Sequence, residues 1–79
     1  MRYVATFHTH LSAMLSSRAL QGAGISARLA PVPRQLSSSC GTCVFYEAEE
    51  SHDALLDEDL ERLYRQEAEG VYTLLLQKE

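Results

Sequence analysis

The chain has 79 residues, of which 46% are hydrophobic, and its formal net charge is −4. This length predicts one small domain over residues 1–79, and the apolar content excludes global disorder. The acidic balance argues against nucleic acid as a main ligand, because phosphate binding needs a basic patch. No apolar run approaches the roughly 20 residues of a membrane span, so we expect no membrane association and a cytoplasmic protein. A domain this small is marginally stable, which leaves a homodimer open.

The first half of the chain predicts a strand, a helix and a second strand. Residues 2–7 (RYVATF) are short and β-rich, as in a largely buried strand. The next segment, HTHLSAMLSSRALQGAG, has Leu11, Met14 and Leu15 at helical spacing, with Thr9 as the N-cap and Gly22 or Gly24 as the stop signal. Residues 25–30 (ISARLA) predict a second strand, which ends at prolines that cannot donate a ladder hydrogen bond.

The second half predicts a strand, a second helix and a last strand. Residues 43–48 (CVFYEA) form the third predicted strand. Residues 51–70 (SHDALLDEDLERLYRQEAEG) are interpreted as an amphipathic helix with acidic first turns and a terminal glycine. Its apolar stripe consists of Leu56, Leu60, Leu63 and Tyr64. Residues 71–77 (VYTLLLQ) close the chain as a fourth strand.

This βαββαβ order predicts an α+β, ferredoxin-like sandwich, with a four-stranded antiparallel sheet and two helices on one face. In that fold the first and second strands run in the same direction. Their ends, and the start of the third strand, therefore lie at one rim of the sheet. His8 and His10, just past the first strand, should share this rim with residues 33–43 (PRQLSSSCGTC).

Residues 33–43 contain what a reactive thiol needs. A cysteine is a nucleophile only as its thiolate, which a nearby cation, hydrogen-bond donors and partial exposure favour. We therefore predict a site centred on Cys40, in which a permanent cation, serine donors, a flexible glycine and rim histidines surround the sulfur. The predicted binding residues are Arg34, Ser37, Ser38, Ser39, Gly41, His8 and His10. An ordinary solvated loop would have the same composition, so that alternative stays open.

The spacing CGTC has three interpretations. A thioredoxin-like dithiol is disfavoured, because the motif leads into a strand and not into a helix. A zinc or copper site is the second, with Cys40, Cys43, His8 and His10 as ligands. In the third, Cys40 is the only working thiol, and Cys43 is either its resolving partner or a small core residue.

The whole pattern resembles a known family. The first strand ending in TFH, the helix running to GAGI and the segment ARLAPVPRQLSSSCG are similar to the small bacterial and archaeal selenium/sulfur carrier protein-like family. The resemblance implies that Cys40 is the carrier thiol, with Arg34, Ser38, Ser39 and Gly41 around it. It implies a carrier protein and not a turnover enzyme. Such a carrier has no cofactor and exchanges sulfur or selenium with donor and acceptor proteins. A non-catalytic protein-interaction module is the remaining alternative.

Overall fold

The computed structural model describes residues 1–78 and shows one α-helix, five strands and one 3₁₀ turn in that range. In chain order these are β1 (Arg2–Phe7), α1 (His10–Gly22), β2 (Ser26–Pro31), β3 (Thr42–Glu47), the 3₁₀ turn (Asp53–Leu55), β4 (Leu60–Ala68) and β5 (Val71–Gln77). The four predicted strands and the first helix are all present, within one or two residues of their predicted limits.

The strands form one sheet in the order β2-β3-β1-β4-β5, with every neighbouring pair antiparallel. The short apolar strand β1 lies at the centre, and five of its six residues are buried. The helix α1 packs on one face. The predicted α+β class is therefore confirmed. The four-stranded sheet with two helices is wrong, because the described residues form five strands and one helix.

The error comes from residues 51–70, which form the 3₁₀ turn and β4 in place of the predicted helix. The residues that suggested a helical stripe are all buried, namely Leu56, Leu60, Leu63 and Tyr64. Leu60 and Leu63 reach the same core cluster because the β1–β4 register shifts between Thr6 and Phe7. This is a β-bulge, which adds one residue to β4 and lets residues three apart share a face. A turn and a bulge thus reproduce the spacing of a helix.

The helix begins as predicted at Thr9, whose hydroxyl accepts a hydrogen bond from the Ser12 amide at 3.2 Å. However, the leucines whose spacing indicates a helix lie on its outer side, since Leu11 is 58% and Leu15 is 45% exposed. The buried side of the helix consists mainly of small residues: Ser12, Ala13, Ser16, Ser17 and Leu20. Small side chains let the helix backbone approach the sheet closely.

The opposite face of the sheet carries a second, smaller core. Val4, Cys43 and Tyr64 are buried there. The β2–β3 connection covers this cluster, because Val32 and Leu36 pack against it. The segment that holds Cys40 is therefore anchored to the sheet by apolar contacts. None of the helical segments within residues 1–78 is long and apolar enough to span a membrane.

Candidate functional site

The serine-rich segment, residues 37–41, lies on the rim where β1 ends. This rim also carries the start of α1, and His10 Nδ1 lies 3.3 Å from the hydroxyl of Thr42 at the start of β3. The hydroxyl of Ser38 donates to the Phe7 carbonyl at 3.0 Å. The antiparallel pairing of β1 and β2 with β3 produces this arrangement, because it gives β1 and β2 the same direction. The predicted juxtaposition of the two segments is confirmed.

The thiol of Cys40 is partly exposed and faces the end of β1. Its sulfur lies 3.4 Å from the Phe7 carbonyl oxygen and 3.5 Å from the Thr42 carbonyl oxygen. The Ser38 hydroxyl is 3.8 Å from the same sulfur. Carbonyl oxygens only accept hydrogen bonds, so these two contacts suit a protonated thiol, and the Ser38 hydroxyl already donates its one proton to the Phe7 carbonyl. The thiol of Cys40 can therefore donate to either carbonyl or to the oxygen of Ser38.

Glu61, which the sequence interpretation places on a helix, holds the segment in position. Its carboxylate accepts hydrogen bonds from the Ser39 amide at 3.1 Å and from the Ser39 hydroxyl at 2.8 Å. His8 Nδ1 lies 3.4 Å from that hydroxyl and 3.8 Å from the carboxylate. Partial burial opposes ionisation, but the Ser39 hydrogen bonds, with His8 and Arg62 nearby, keep the pKa of the Glu61 carboxyl below its usual value. The group is ionised at neutral pH.

Two arginines are candidates for the cation of the site, and the structure separates them. Arg62 donates from Nη1 to the Ser37 hydroxyl at 3.2 Å. Arg34, the predicted cation, is exposed, and its guanidinium makes no hydrogen bond or ion pair within residues 1–78. Gly41 has φ +75°, a left-handed conformation that favours glycine. The conformation predicted at Gly41 is confirmed, and the cation that contacts the segment is Arg62.

A neighbouring carboxylate holds the start of α1. Asp59 accepts hydrogen bonds from the Thr9 amide at 3.1 Å and from the Thr9 hydroxyl at 3.2 Å. Hydrogen bonds involving Ser12 and Thr9 keep the pKa of Asp59 below its usual value. Asp59, Glu61 and Arg62 all belong to the acidic run that resembles a helix. Once this run is recognised as a strand, its first residues fall on the same rim as Cys40.

Cys43 lies in a different environment from Cys40. It is fully buried in the smaller core, and its sulfur is 3.7 Å from the Pro31 carbonyl oxygen. Burial raises the pKa of the Cys43 thiol to about 11, against a smaller lowering effect of Arg28. Both thiols are unpaired. Cys43 thus has the properties of a small core residue, the second of the two roles open to it from the sequence.

The four residues of the metal alternative do not form a common site. Across residues 1–78 there is no group of three or more His, Cys, Asp or Glu side chains that could hold a metal ion. The sulfur of Cys43 points to Pro31, while the rings of His8 and His10 contact Ser39 and Thr42. The groups that contact the sulfur of Cys40 are the Phe7 and Thr42 carbonyl oxygens and the Ser38 hydroxyl.

Together, the fold and this rim define a small α+β domain that presents one accessible thiol in a hydrogen-bonded serine segment. The family described as "Putative Se/S carrier protein-like" matches residues 2–72, and the chain belongs to this family. The chain is 33% identical over 43 residues to an uncharacterised protein of Escherichia coli K12, YtiA. That match covers 54% of the chain and about half, 51%, of the relative. No solved structure shows significant similarity.

Proposed function

We propose that this protein is a selenium/sulfur carrier in which Cys40 holds a sulfane sulfur or a reduced selenium atom and delivers it to an acceptor protein. The observation that carries the proposal is the partly exposed thiol of Cys40, held at the sheet rim by contacts to Phe7, Thr42 and Ser38. Family membership supports the same conclusion. The donor and the acceptor are proteins with thiol groups of their own.

Loading is a displacement at sulfur. The thiolate of Cys40 attacks the outer sulfur of a persulfide on the donor, a new S–S bond forms on Cys40, and the donor S–S bond breaks. The donor leaves as a thiolate, which takes up the proton that Cys40 released. A donor with S–SeH in place of S–SH would load selenium by the same displacement. Delivery repeats the step, with the thiolate of the acceptor as the nucleophile.

The surroundings of Cys40 suit this cycle. Partial exposure leaves room on the solvent side for one additional sulfur or selenium atom. The Ser38 hydroxyl, 3.8 Å from the sulfur, can rotate from the Phe7 carbonyl to donate to the thiolate that forms during transfer. Since Cys43 is fully buried, it is badly placed to attack a persulfide on Cys40. The cargo would therefore leave only to another protein, which is the behaviour of a carrier and not of a dithiol oxidoreductase.

Intact-mass measurement tests the proposal. The reduced protein is incubated with a cysteine desulfurase and cysteine, which together supply a protein persulfide, and the gain of one sulfur atom is followed. We expect the wild type and Cys43→Ala to load and Cys40→Ser not to load. Loading of Cys40→Ser to the wild-type level would contradict the role of Cys40. Failure of the wild type to gain sulfur from this donor would contradict sulfur loading.

A further inference from the structure

The β-bulge in β4 gives Glu61 an unusual position. Thr6 pairs with Arg62 and Phe7 pairs with Leu60, so Glu61 is the extra residue opposite neither of them. Bulges bend a strand and redirect the side chain of the extra residue, and they are frequent beside functional sites. Here the redirected carboxylate meets the serine segment and is only 14% exposed. The bulge thus connects the central sheet directly to the residue that precedes Cys40.

Both groups that Ser39 can donate from are used by this one carboxylate. The amide and the hydroxyl of Ser39 lie 3.1 Å and 2.8 Å from its two oxygens. Hydrogen bonds to an ionised acceptor are stronger than those between neutral groups. On the other side of Cys40, Gly41 is tied to the end of β2, because its carbonyl accepts from the Val32 amide at 3.1 Å. Cys40 is therefore held between two anchored neighbours, and Glu61 provides one of the anchors.

We propose that Glu61 is a positioning residue for Cys40: through Ser39 it fixes the thiol against the end of β1 in the orientation that a protein partner meets. The expected effect on sulfur transfer rests on the proposed carrier function, but the effect of Glu61 on the position of the Cys40 thiol can be tested without that function. Losing Glu61 should free the thiol from the Phe7 and Thr42 carbonyls. A small reagent would then reach Cys40 more easily, whereas a protein donor would find it less well placed.

The test compares Glu61→Ala with Glu58→Ala in a Cys43→Ala background. Glu58 is an exposed acid on the same approach to β4, and its side chain makes no hydrogen bond within the described residues. We expect Glu61→Ala to raise the iodoacetamide reaction rate of Cys40 roughly tenfold at pH 7. The reason is that loss of the charge-assisted hydrogen bonds to Ser39 raises the population in which the segment is released from the rim by about that factor. Sulfur loading by the desulfurase should slow in the same variant. Glu58→Ala should match the background in both assays.

Conservative variants separate positioning from a general loss of structure. Glu61→Gln keeps one good acceptor oxygen and should give a rate between those of the background and Glu61→Ala. The effects of Glu61→Ala and Ser39→Ala should be less than additive, because both remove the contact of the Ser39 hydroxyl, while the contact of the Ser39 amide is lost only in Glu61→Ala. An iodoacetamide rate within twofold of the background in Glu61→Ala, or full additivity with Ser39→Ala, would overturn the positioning role. Failure of sulfur loading in every variant, with the reagent pattern as expected, would reject the carrier function and leave the positioning role in place.

Discussion

The two cysteines should differ greatly in reactivity, and single-cysteine variants can show it. Cys40→Ser leaves only Cys43, which is fully buried beneath Val32 and Leu36, and Cys43→Ala leaves only Cys40. Each variant is treated with iodoacetamide at pH 8, folded and in guanidinium chloride. Intact mass follows the fraction alkylated with time.

The magnitude follows from the pKa of the Cys43 thiol, which burial raises to about 11. At pH 8 such a thiol is about 0.1% thiolate, against about a quarter for a free cysteine with a pKa near 8.5. The thiolate fraction alone therefore predicts that folding slows alkylation of Cys43 by roughly 200-fold, and complete burial slows it further. Cys40, which is partly exposed, should react readily in the folded protein.

The result decides whether Cys43 can serve as a resolving thiol. If Cys43 in folded Cys40→Ser were alkylated within tenfold of its rate in the unfolded protein, the burial seen in the structure would not describe the protein in solution. The same outcome would restore the dithiol alternative. Alkylation of Cys40 in folded Cys43→Ala is the matched control for reagent quality and access.

Three further outcomes are expected. The folded state keeps the proton of Cys43 to about pH 11, while the unfolded state loses it near pH 8.5. Denaturant unfolding should therefore show that the free energy of unfolding of the wild type falls by about 3 kcal/mol more than that of Cys43→Ala between pH 8 and 11; equal losses would contradict the raised pKa. Ala13→Leu should destabilise the protein by about 1–3 kcal/mol, because Ala13 is fully buried. Leu15→Ala should change the stability by less than about 0.5 kcal/mol. Thermal melts in which Leu15→Ala is the more destabilised variant would show that the helix packs against the sheet by its other side. Arg62→Ala should alter the iodoacetamide rate of Cys40 more than Arg34→Ala, because Arg62 contacts Ser37; a larger effect of Arg34→Ala would favour the cation predicted from the sequence.

Local sequence signals succeeded where a short segment carries its own information. Thr9 caps the helix because its hydroxyl can accept from an amide three residues on, a contact independent of the rest of the chain. The conformation at Gly41 is predictable because a positive φ favours glycine wherever it occurs. The direction of β1 and β2, and with it the meeting of His8 and Ser39, also survived the error in the second helix, since it depends only on the first half of the chain.

Periodicity failed where packing, and not the local period, decides the element. Leu60 and Leu63 are both buried, as a helix would require, but a bulge in β4 places them there. On α1 the opposite error occurs, because the exposed Leu11 and Leu15 resemble a core stripe while Ala13 and the neighbouring serines face the sheet. A helix lying close to a sheet buries its small residues, and no property of the isolated segment shows which side that will be.

The class of the fold, the family and the thiol on which the function is proposed to depend can all be predicted from the amino-acid sequence. The fold class follows from hydrophobic patterning and from turn and cap signals, whereas the family and the choice of Cys40 follow from the resemblance of residues 27–41 to the segment of that family. The groups near that thiol depend on how distant segments pack in three dimensions. Glu61 and Arg62 reach the serine segment because β4 lies beside β1. Cys43 is buried in the smaller core because its side chain lies on the other face of β3. Both results come from pairing between strands that are distant in the sequence, and the spacing of residues along the chain does not show which strands pair.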